Sequence, residues 1–345
     1  MCMETYMENG LFFVFRLLCT HRPLMERRPM MSASTSPLPY TGNKSCIADT
    51  ILDVMPPHTV YIEPCMGSAE VFFRKLPSEK EILNDYNGDL VNLFRVMQDK
   101  QNLPYLIGRL YLSLNSELLF RRNKELLMTT PNVLDDIKQT GKIVSAASWE
   151  EIKQAAAFFE NQVYSFSSTG QTFGITQRDI THRFERLIAA CCRLRNATIL
   201  HRDYKDAISY AACEGAFIML DPPYKDTENC YPKADFDSNE HKNLFEFMSG
   251  IDRKYGGNCK FLITYNNHPY IRELAEEKGF HTFVQTRLHN MRQSKEAGAQ
   301  FEELLIANYD LMKQAEENKS TRFYENSQLT LFDYFNYNYM EEETT

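Results

Sequence analysis

Phe217-Ile218-Met219-Leu220 runs without a break into Asp221-Pro222-Pro223-Tyr224. Four apolar residues bounded by a carboxylate and two prolines predict a buried strand that stops at a turn. Proline fixes its own φ and restricts the residue before it, so the chain just past the strand has few conformations open to it. Asp221 and Tyr224 are therefore expected at the strand's carboxyl end, where open α/β sheets bind ligands. An acceptor beside a flat aromatic suits a planar base that carries an amino group. The same residues also fit a strand that simply ends at Pro-Pro, and this stretch alone leaves both readings open.

The flanking sequence alternates strand and helix patterns. Ile47, Ile51, Leu52 and Met55 mark one face of a helix closed by Pro56-Pro57, and a strand follows over 59–62. It leads into Glu63-Pro64-Cys65-Met66-Gly67-Ser68-Ala69 and a further helix. Strand, tight turn of small residues, helix is the order that brings backbone N–H groups close to a cofactor. A second strand over 81–84 ends at Asp85, 18 residues past Gly67. A carboxylate at about that separation commonly bonds ribose hydroxyls. Further strands are expected over 197–200, 260–265, 280–285 and 303–309, and helices over 179–193, 239–250 and 269–278. Asp203, after the strand at 197–200, is expected at the end of a strand next to that of Asp221. The pattern predicts an α/β fold with a doubly wound sheet.

Residues 91–177 differ from these flanks, reading as helices over 91–98, 103–112, 115–127 and 148–161. Arg121, Arg122 and Lys124 cluster there. Near its end, Asn161 precedes two aromatic stretches around Ser165, Ser167, Ser168, Thr169 and Gly170, a pattern that suggests a hairpin or ordered loop. Polar donors, glycines and stacking aromatics suit a nucleic-acid backbone, and they equally suit a plain surface hairpin. The net charge of −8 makes no global case for nucleic acid, so any basic surface is local. Nine cysteines without a CxxC read as reduced thiols of a cytoplasmic protein, with no metal site. The apolar run at 11–19 lacks a basic flank and is too short to cross a bilayer, so no membrane partner is expected.

Tyr40-Thr41-Gly42-Asn43-Lys44, the turn Glu63–Ala69, Asp85 and Asp221-Pro222-Pro223-Tyr224 resemble the ordered motifs of Dam-like DNA adenine-N6 methyltransferases. Segments 260–267 and 303–306 are similar to later parts of that family, and the likeness covers roughly residues 38–310. Ala69 departs from it, standing where the family usually has a second glycine. The resemblance implies a Rossmann-like methyltransferase sheet (37–90 and 178–312) with an inserted, mainly helical target-recognition subdomain (91–177). It implies S-adenosylmethionine as methyl donor and N6 of a flipped-out adenine in double-stranded DNA as acceptor. Asp221, Pro222, Pro223 and Tyr224 are then catalytic. Glu63, Pro64, Cys65, Gly67, Ser68 and Ala69 hold the methionine end of the cofactor, and Asp85 takes the ribose. Asp203 and Tyr204 take the cofactor's adenine, while Tyr40, Gly42 and Lys44 border the pocket. Arg121, Arg122, Lys124, Asn161 and the loop Ser165–Gly170 fall to DNA contact. Cytosine-N4 or RNA-base methylation and a non-catalytic DNA-binding relative are the competing readings.

Residues 1–36 are expected to be a poorly ordered extension, and 313–345 a tail that begins with an acidic linker at 316–319. Within the tail, Gln328, Leu329, Leu331 and Phe332 resemble the peptide by which bacterial DNA-metabolism proteins dock onto the replicative sliding clamp. Spaced apolar anchors on an extended segment suit such a pocket, and Leu329, Leu331 and Phe332 equally suit covering an apolar patch on the protein's own surface. A monomer in the cytoplasm of a bacterium or phage-infected cell is the expected setting.

Overall fold

The computed structural model describes residues 35–130, 147–175, 178–227, 236–288 and 300–324. The residues expected to bind a sliding clamp lie outside this set, as does all of the expected N-terminal extension but residues 35 and 36.

Seven strands form one sheet: β1 (Val60–Glu63), β2 (Lys80–Asn84), β3 (Thr198–Leu200), β4 (Ala216–Leu220), β5 (Lys260–Asn266), β6 (His281–Leu288) and β7 (Gln300–Ala307). Their order is β3-β2-β1-β4-β5-β7-β6. The first five are parallel, and β7 runs antiparallel between β5 and β6. Strand order reverses between β1 and β4, and a crevice opens at that point beyond the carboxyl ends of parallel strands. β3 is thus one of the two edge strands, and β2 and β1 separate it from β4. This corrects the expectation that Asp203 stands on a strand beside that of Asp221. A period-two pattern specifies a strand but not its neighbour.

Each strand divides its side chains between two cores, as the pleat requires. Tyr61, Leu83, Phe217, Met219 and Leu262 enter one cluster, and Ile62, Ile82, Ile218, Leu220 and Ile263 the other. Burial on both faces is why these strands read as unbroken apolar runs. The first core is covered by α1 (Ala48–Val54), α2 (Glu70–Arg74) and α3 (Gly88–Gln98). It continues into α4 (Leu103–Tyr111), α5 (Glu117–Thr129), α6 (Trp149–Tyr164) and α7 (Phe184–Leu194). The second core is covered by α8 (Tyr204–Ala211), α9 (Ser238–Lys254) and α10 (Pro269–Glu277). The expected boundary at residue 91 falls inside α3, whose Leu90, Leu93 and Phe94 belong to the core of the sheet.

Helix α6 starts at a capping box, with Ser148 Oγ accepting from Glu151 N and Glu151 Oε2 accepting from Ser148 N. It runs on to Tyr164 because Phe159, Val163 and Tyr164 keep its apolar face buried. The first half of the expected hairpin is therefore helix, and one isolated bridge, Ser165 to Phe173, is what pairs across the loop. The expected linker at 316–319 is also helical, within α11 (Leu311–Tyr324). Asn318 Nδ2 of α11 donates to the Asp53 and Met55 carbonyls at 2.8 and 2.9 Å, satisfying the end of α1. Residue 36 is docked as well, since Ser36 N donates to Glu70 Oε2 at 3.2 Å.

A buried ionic group ties α7 to the sheet. Glu81 on β2 accepts from Lys75 Nζ at 2.5 Å and from both Nη atoms of Arg193 at 2.5 and 2.7 Å. The Arg193 guanidinium also lies 3.7 Å from the Phe72 ring centroid. Removing one member of a buried ionic group strands the rest without a partner. Glu81→Leu is therefore expected to lower unfolding free energy by about 3–5 kcal/mol, measured by urea denaturation.

Candidate active site

The turn after β1 needs unusual backbone geometry. Gly67 has φ +47°, and Ala69 adopts left-handed φ 54° and ψ 37° just before α2. Met66 N donates across to the Asn84 carbonyl at 2.9 Å, and Gly67 N donates to Asp85 Oδ2 at 3.0 Å. Asn87 N donates to the other Asp85 oxygen at 2.8 Å. The acid at the end of β2 is thus held against the turn at the end of β1. Burial pushes the Asp85 carboxyl up to about 6 despite these bonds. Burial likewise raises Glu63 to about 8, with Tyr61 Oη donating to its Oε2 at 2.8 Å.

At the end of β4, Lys44 Nζ lies 2.6 Å from Asp221 Oδ2, and Thr264 Oγ1 donates to Asp221 Oδ1 at 2.7 Å. The ammonium also donates to the Gly42 carbonyl at 2.7 Å and sits 4.9 Å from the Tyr224 ring centroid. Burial raises the Asp221 pKa, and the Lys44 charge opposes that rise. Asp221 nevertheless keeps 23% of its side chain exposed, so a ligand can reach it. Tyr224 Oη donates to Glu303 Oε2 at 2.5 Å, and burial raises this phenol's pKa. Thr264 and Glu303 are absent from the residues expected on sequence. Their signal lies in segments 260–267 and 303–306, and the antiparallel pairing of Asn266 with Glu303 gives them a role.

The ends of β1, β2 and β4 open on one cavity of about 650 Å³. Tyr40, Gly42 and Lys44 line it, together with Glu63, Pro64, Cys65, Gly67 and Ser68 of the turn. Asp85, Asp203, Tyr204, Asp221 and Pro223 also line it, whereas Ala69, Pro222 and Tyr224 do not. Asp203 caps α8, accepting from Lys205 N at 2.8 Å, and Tyr204 Oη donates to Glu240 Oε1 at 2.7 Å. Despite the edge position of β3, both residues reach the cavity.

The helices between β2 and β3 supply the facing wall, through Lys124, Phe158, Asn161, Gln162 and residues 168–171. Asn161 is buried inside α6, and Ser165 is fully buried, its Oγ accepting from Gly170 N at 2.9 Å. Neither is on the outer surface. Lys124 Nζ donates to the Gln171 carbonyl at 3.0 Å, and Arg121 pairs with Glu117 on an exposed face, where Arg122 is exposed as well. Ser167 and Ser168 have φ +51° and +55°, a left-handed backbone that costs about 1–3 kcal/mol per non-glycine residue. Thr41 Oγ1 bonds to the carbonyls of both serines at 3.4 and 3.1 Å, joining loop and cavity rim. Asn161 Oδ1 and Gln162 Oε1 are buried acceptors without a partner among the described residues.

A model of the D12 class N6 adenine-specific DNA methyltransferase family matches residues 40–291. The chain is 24% identical over 273 residues to a DNA N-6-adenine-methyltransferase of Escherichia phage P1, covering 73% of this chain and 32% of that protein. It is 22% identical over 288 residues to Type II methyltransferase M1.LlaDCHI of Lactococcus lactis subsp. cremoris, covering 78% of this chain and 94% of that one. The chain therefore spans about a third of the phage relative's length (32%) and nearly all of the lactococcal one's (94%). A solved precorrin-6y C5,15-methyltransferase from Geobacter metallireducens GS-15 aligns at 9% identity and a TM-score of 0.36, over 81% of this chain and 98% of that chain. A likeness that loose carries no argument.

Losing the Thr41 bonds should free the strained loop. Thr41→Val is expected to speed hydrogen exchange of the Gly170 and Gln171 amides about fivefold, the equivalent of one net hydrogen bond of about 1 kcal/mol.

Proposed function

Because the chain belongs to the D12 class N6 adenine-specific DNA methyltransferases, we propose that it transfers a methyl group from S-adenosylmethionine to N6 of an adenine swung out of double-stranded DNA. What carries this reading is the meeting, in one cavity, of Asp221 at the end of β4 with the turn of β1 and the acid of β2.

The cavity suits S-adenosylmethionine in size, charge and unmet acceptors. Its volume of about 650 Å³ is that of a small-molecule site. Around the strand ends Asp85 and Asp221 outnumber Lys44, while Glu63, raised to about 8, is largely neutral at pH 7, so a positively charged ligand offsets the excess acid and favours ionisation of all three carboxyl groups. The orphan oxygens of Asn161 and Gln162 suit ligand N–H or O–H groups. On this reading the turn Glu63–Ala69 holds the methionine end, Asp85 the ribose hydroxyls, and Asp203 with Tyr204 the adenine ring. When bound, the cofactor supplies an electrophilic methyl group on a sulfonium centre.

The remaining chemistry falls to the chain's own residues. The adenine N6 lone pair is delocalised into the ring, which makes it a poor nucleophile. Asp221 accepts one N6–H and the Pro222 carbonyl accepts the other, turning the lone pair out of conjugation. Thr264 and Lys44 fix the carboxylate through one contact to each oxygen, which is preorganisation of the kind that lowers barriers. With its pKa raised, Asp221 can take up the proton that N6 loses. Tyr224, its hydroxyl fixed by Glu303, offers the stacking face. Base–aromatic stacking contributes about 1–3 kcal/mol and offsets part of the unstacking cost. Ser167, Ser168 and Thr169, with Arg122, are the proposed DNA-facing residues of the helical segment.

Asp221→Ala is expected to reduce methyl transfer about a hundred- to a thousandfold while cofactor-product binding, measured by calorimetry, persists. Methylation-sensitive sequencing of DNA from cells expressing the chain should reveal N6-methyladenine in one sequence context; an unmodified genome sinks the proposal. Because Asp85 is charged above about pH 6 and neutral below it, affinity for S-adenosylhomocysteine should fall as pH is lowered through that value. Asp85→Asn should bind more weakly and lose the inflection.

A further inference from the structure

The last turn of α6 walls two depressions. Gln162 faces the cavity already described, and the next residue, Val163, lines a second groove of about 730 Å³. Arg178, Arg183 and Arg186 line this groove with Asp179 and His182. No carboxylate among the described residues pairs with any of the three guanidinium groups. Arg178 bonds the Val163 carbonyl at 2.5 Å and the Ser165 carbonyl at 3.4 Å through one Nη atom. Arg183 bonds the Pro37 carbonyl at 3.0 Å through one Nη atom, and Arg186 is exposed. Each guanidinium has five N–H donors, so most of the donors in the cluster remain available.

The nearby acid does not neutralise the cluster. Asp179 Oδ1 accepts from Thr181 N and Oγ1 at 2.9 and 2.6 Å, and its other oxygen lies 3.7 Å from His182 Nε2. Burial first, then repulsion from Arg186 and Arg178, lowers the Arg183 pKa to about 10, so the three cations are within range of one another. A 3-10 turn over Ile180–Arg183, capped by Asp179, runs directly into α7, so the charge of the groove comes from its side chains rather than from a free helix end. In a chain of net charge −8, such a concentration of unpaired cations suits an anionic partner.

We propose that the Arg178–Arg183–Arg186 groove grips the phosphodiester backbone of the double-stranded DNA substrate, at a site separate from the loop 165–174. The proposal rests on the methyltransferase reading above. Guanidinium forks match phosphate oxygens in pairs, and phosphate contacts set register without reading sequence. The groove is joined to the loop, because Arg178 holds the Ser165 carbonyl while Ser165 Oγ holds Gly170 N. A phosphate drawn to Arg178 therefore acts on the base of the loop that borders the cavity.

The test is the salt dependence of DNA binding by the full chain, read by fluorescence anisotropy with duplex oligonucleotides. Arg186 is exposed and has no intramolecular partner among the described residues, so Arg186→Gln is expected to fold. Calorimetric titration with S-adenosylhomocysteine checks this, because that ligand binds away from the groove. Arg186→Gln should weaken binding three- to tenfold, to a similar extent for all duplex sequences. It should also flatten the slope of log K against log salt by about 0.9, the loss of one phosphate contact. Arg183→Gln with Arg186→Gln should flatten it by roughly twice that, and Arg186→Lys should restore most of the slope. A slope unchanged in variants that bind S-adenosylhomocysteine normally, while the parent chain methylates DNA, overturns the groove and leaves the methyltransferase reading standing. A parent chain that neither binds nor methylates duplex DNA overturns both. Inorganic phosphate binding at the groove with no change in the DNA slope overturns the backbone grip in favour of a free-anion site.

Discussion

One buried amide holds the ends of three strands in place. Asn84 is fully enclosed at the end of β2. Its Nδ2 donates to the Pro64 carbonyl at 2.8 Å and the Arg202 carbonyl at 3.0 Å, and its Oδ1 accepts from Arg202 N at 2.9 Å. Its own carbonyl takes Met66 N. The turn after β1, the acid after β2 and the Asp203 cap after β3 are thereby held to a single side chain. A buried amide left half-satisfied would cost more than an apolar residue there, so the arrangement holds only when all three ends are in register. The geometry of the cavity follows from that requirement.

One cation sits at the centre of the strand-end chemistry. The Lys44 ammonium meets the Gly42 carbonyl, the Asp221 carboxylate and the Tyr224 ring within one small volume. Asp221 pairs with it, Glu63 and Asp85 line the same cavity, and burial raises all three carboxyl groups. Such a pocket is electrostatically unfinished, and its deficit is of positive charge. On the proposed function, the preference for a cationic ligand is therefore a property of the wall as a whole rather than of any one contact.

Much of this was legible in the chain. The apolar run at 217–220 gave the central strand, and all seven strands fall close to their expected places, whereas the hydrogen bond from Gly67 N to Asp85 is not contained in the spacing of those two residues. What was hidden depends on contacts distant in sequence. Thr264 and Glu303 gain roles only when β7 enters the sheet antiparallel beside β5. The α11 helix reads as an acidic linker because its partner carbonyls, on Asp53 and Met55, are more than 260 residues away. Residues 179–193 read as an ordinary amphipathic helix, and only the docking of its start against Val163, Ser165 and Pro37 brings the arginines together. Local pattern specifies which residues are buried, but neighbours across a sheet or between helices are set by topology.

The shared wall of the cavity bears on how such chains diversify. Phe158, Asn161 and Gln162 belong to the helical segment between β2 and β3, yet they face the turn and acids of the sheet. The parts are therefore not modular in the sense of a detachable reading head. Exchanging α5, α6 and the following loop for those of a relative replaces one side of the small-molecule pocket at the same time. On the proposed function, a change in sequence preference acquired this way comes with a changed grip on the methyl donor, and compensating substitutions fall around Tyr40, whose ring centroid lies 6.4 Å from that of Phe158. On that same reading, lineages of this architecture should drift in specificity through the exposed loop tip more readily than by wholesale exchange.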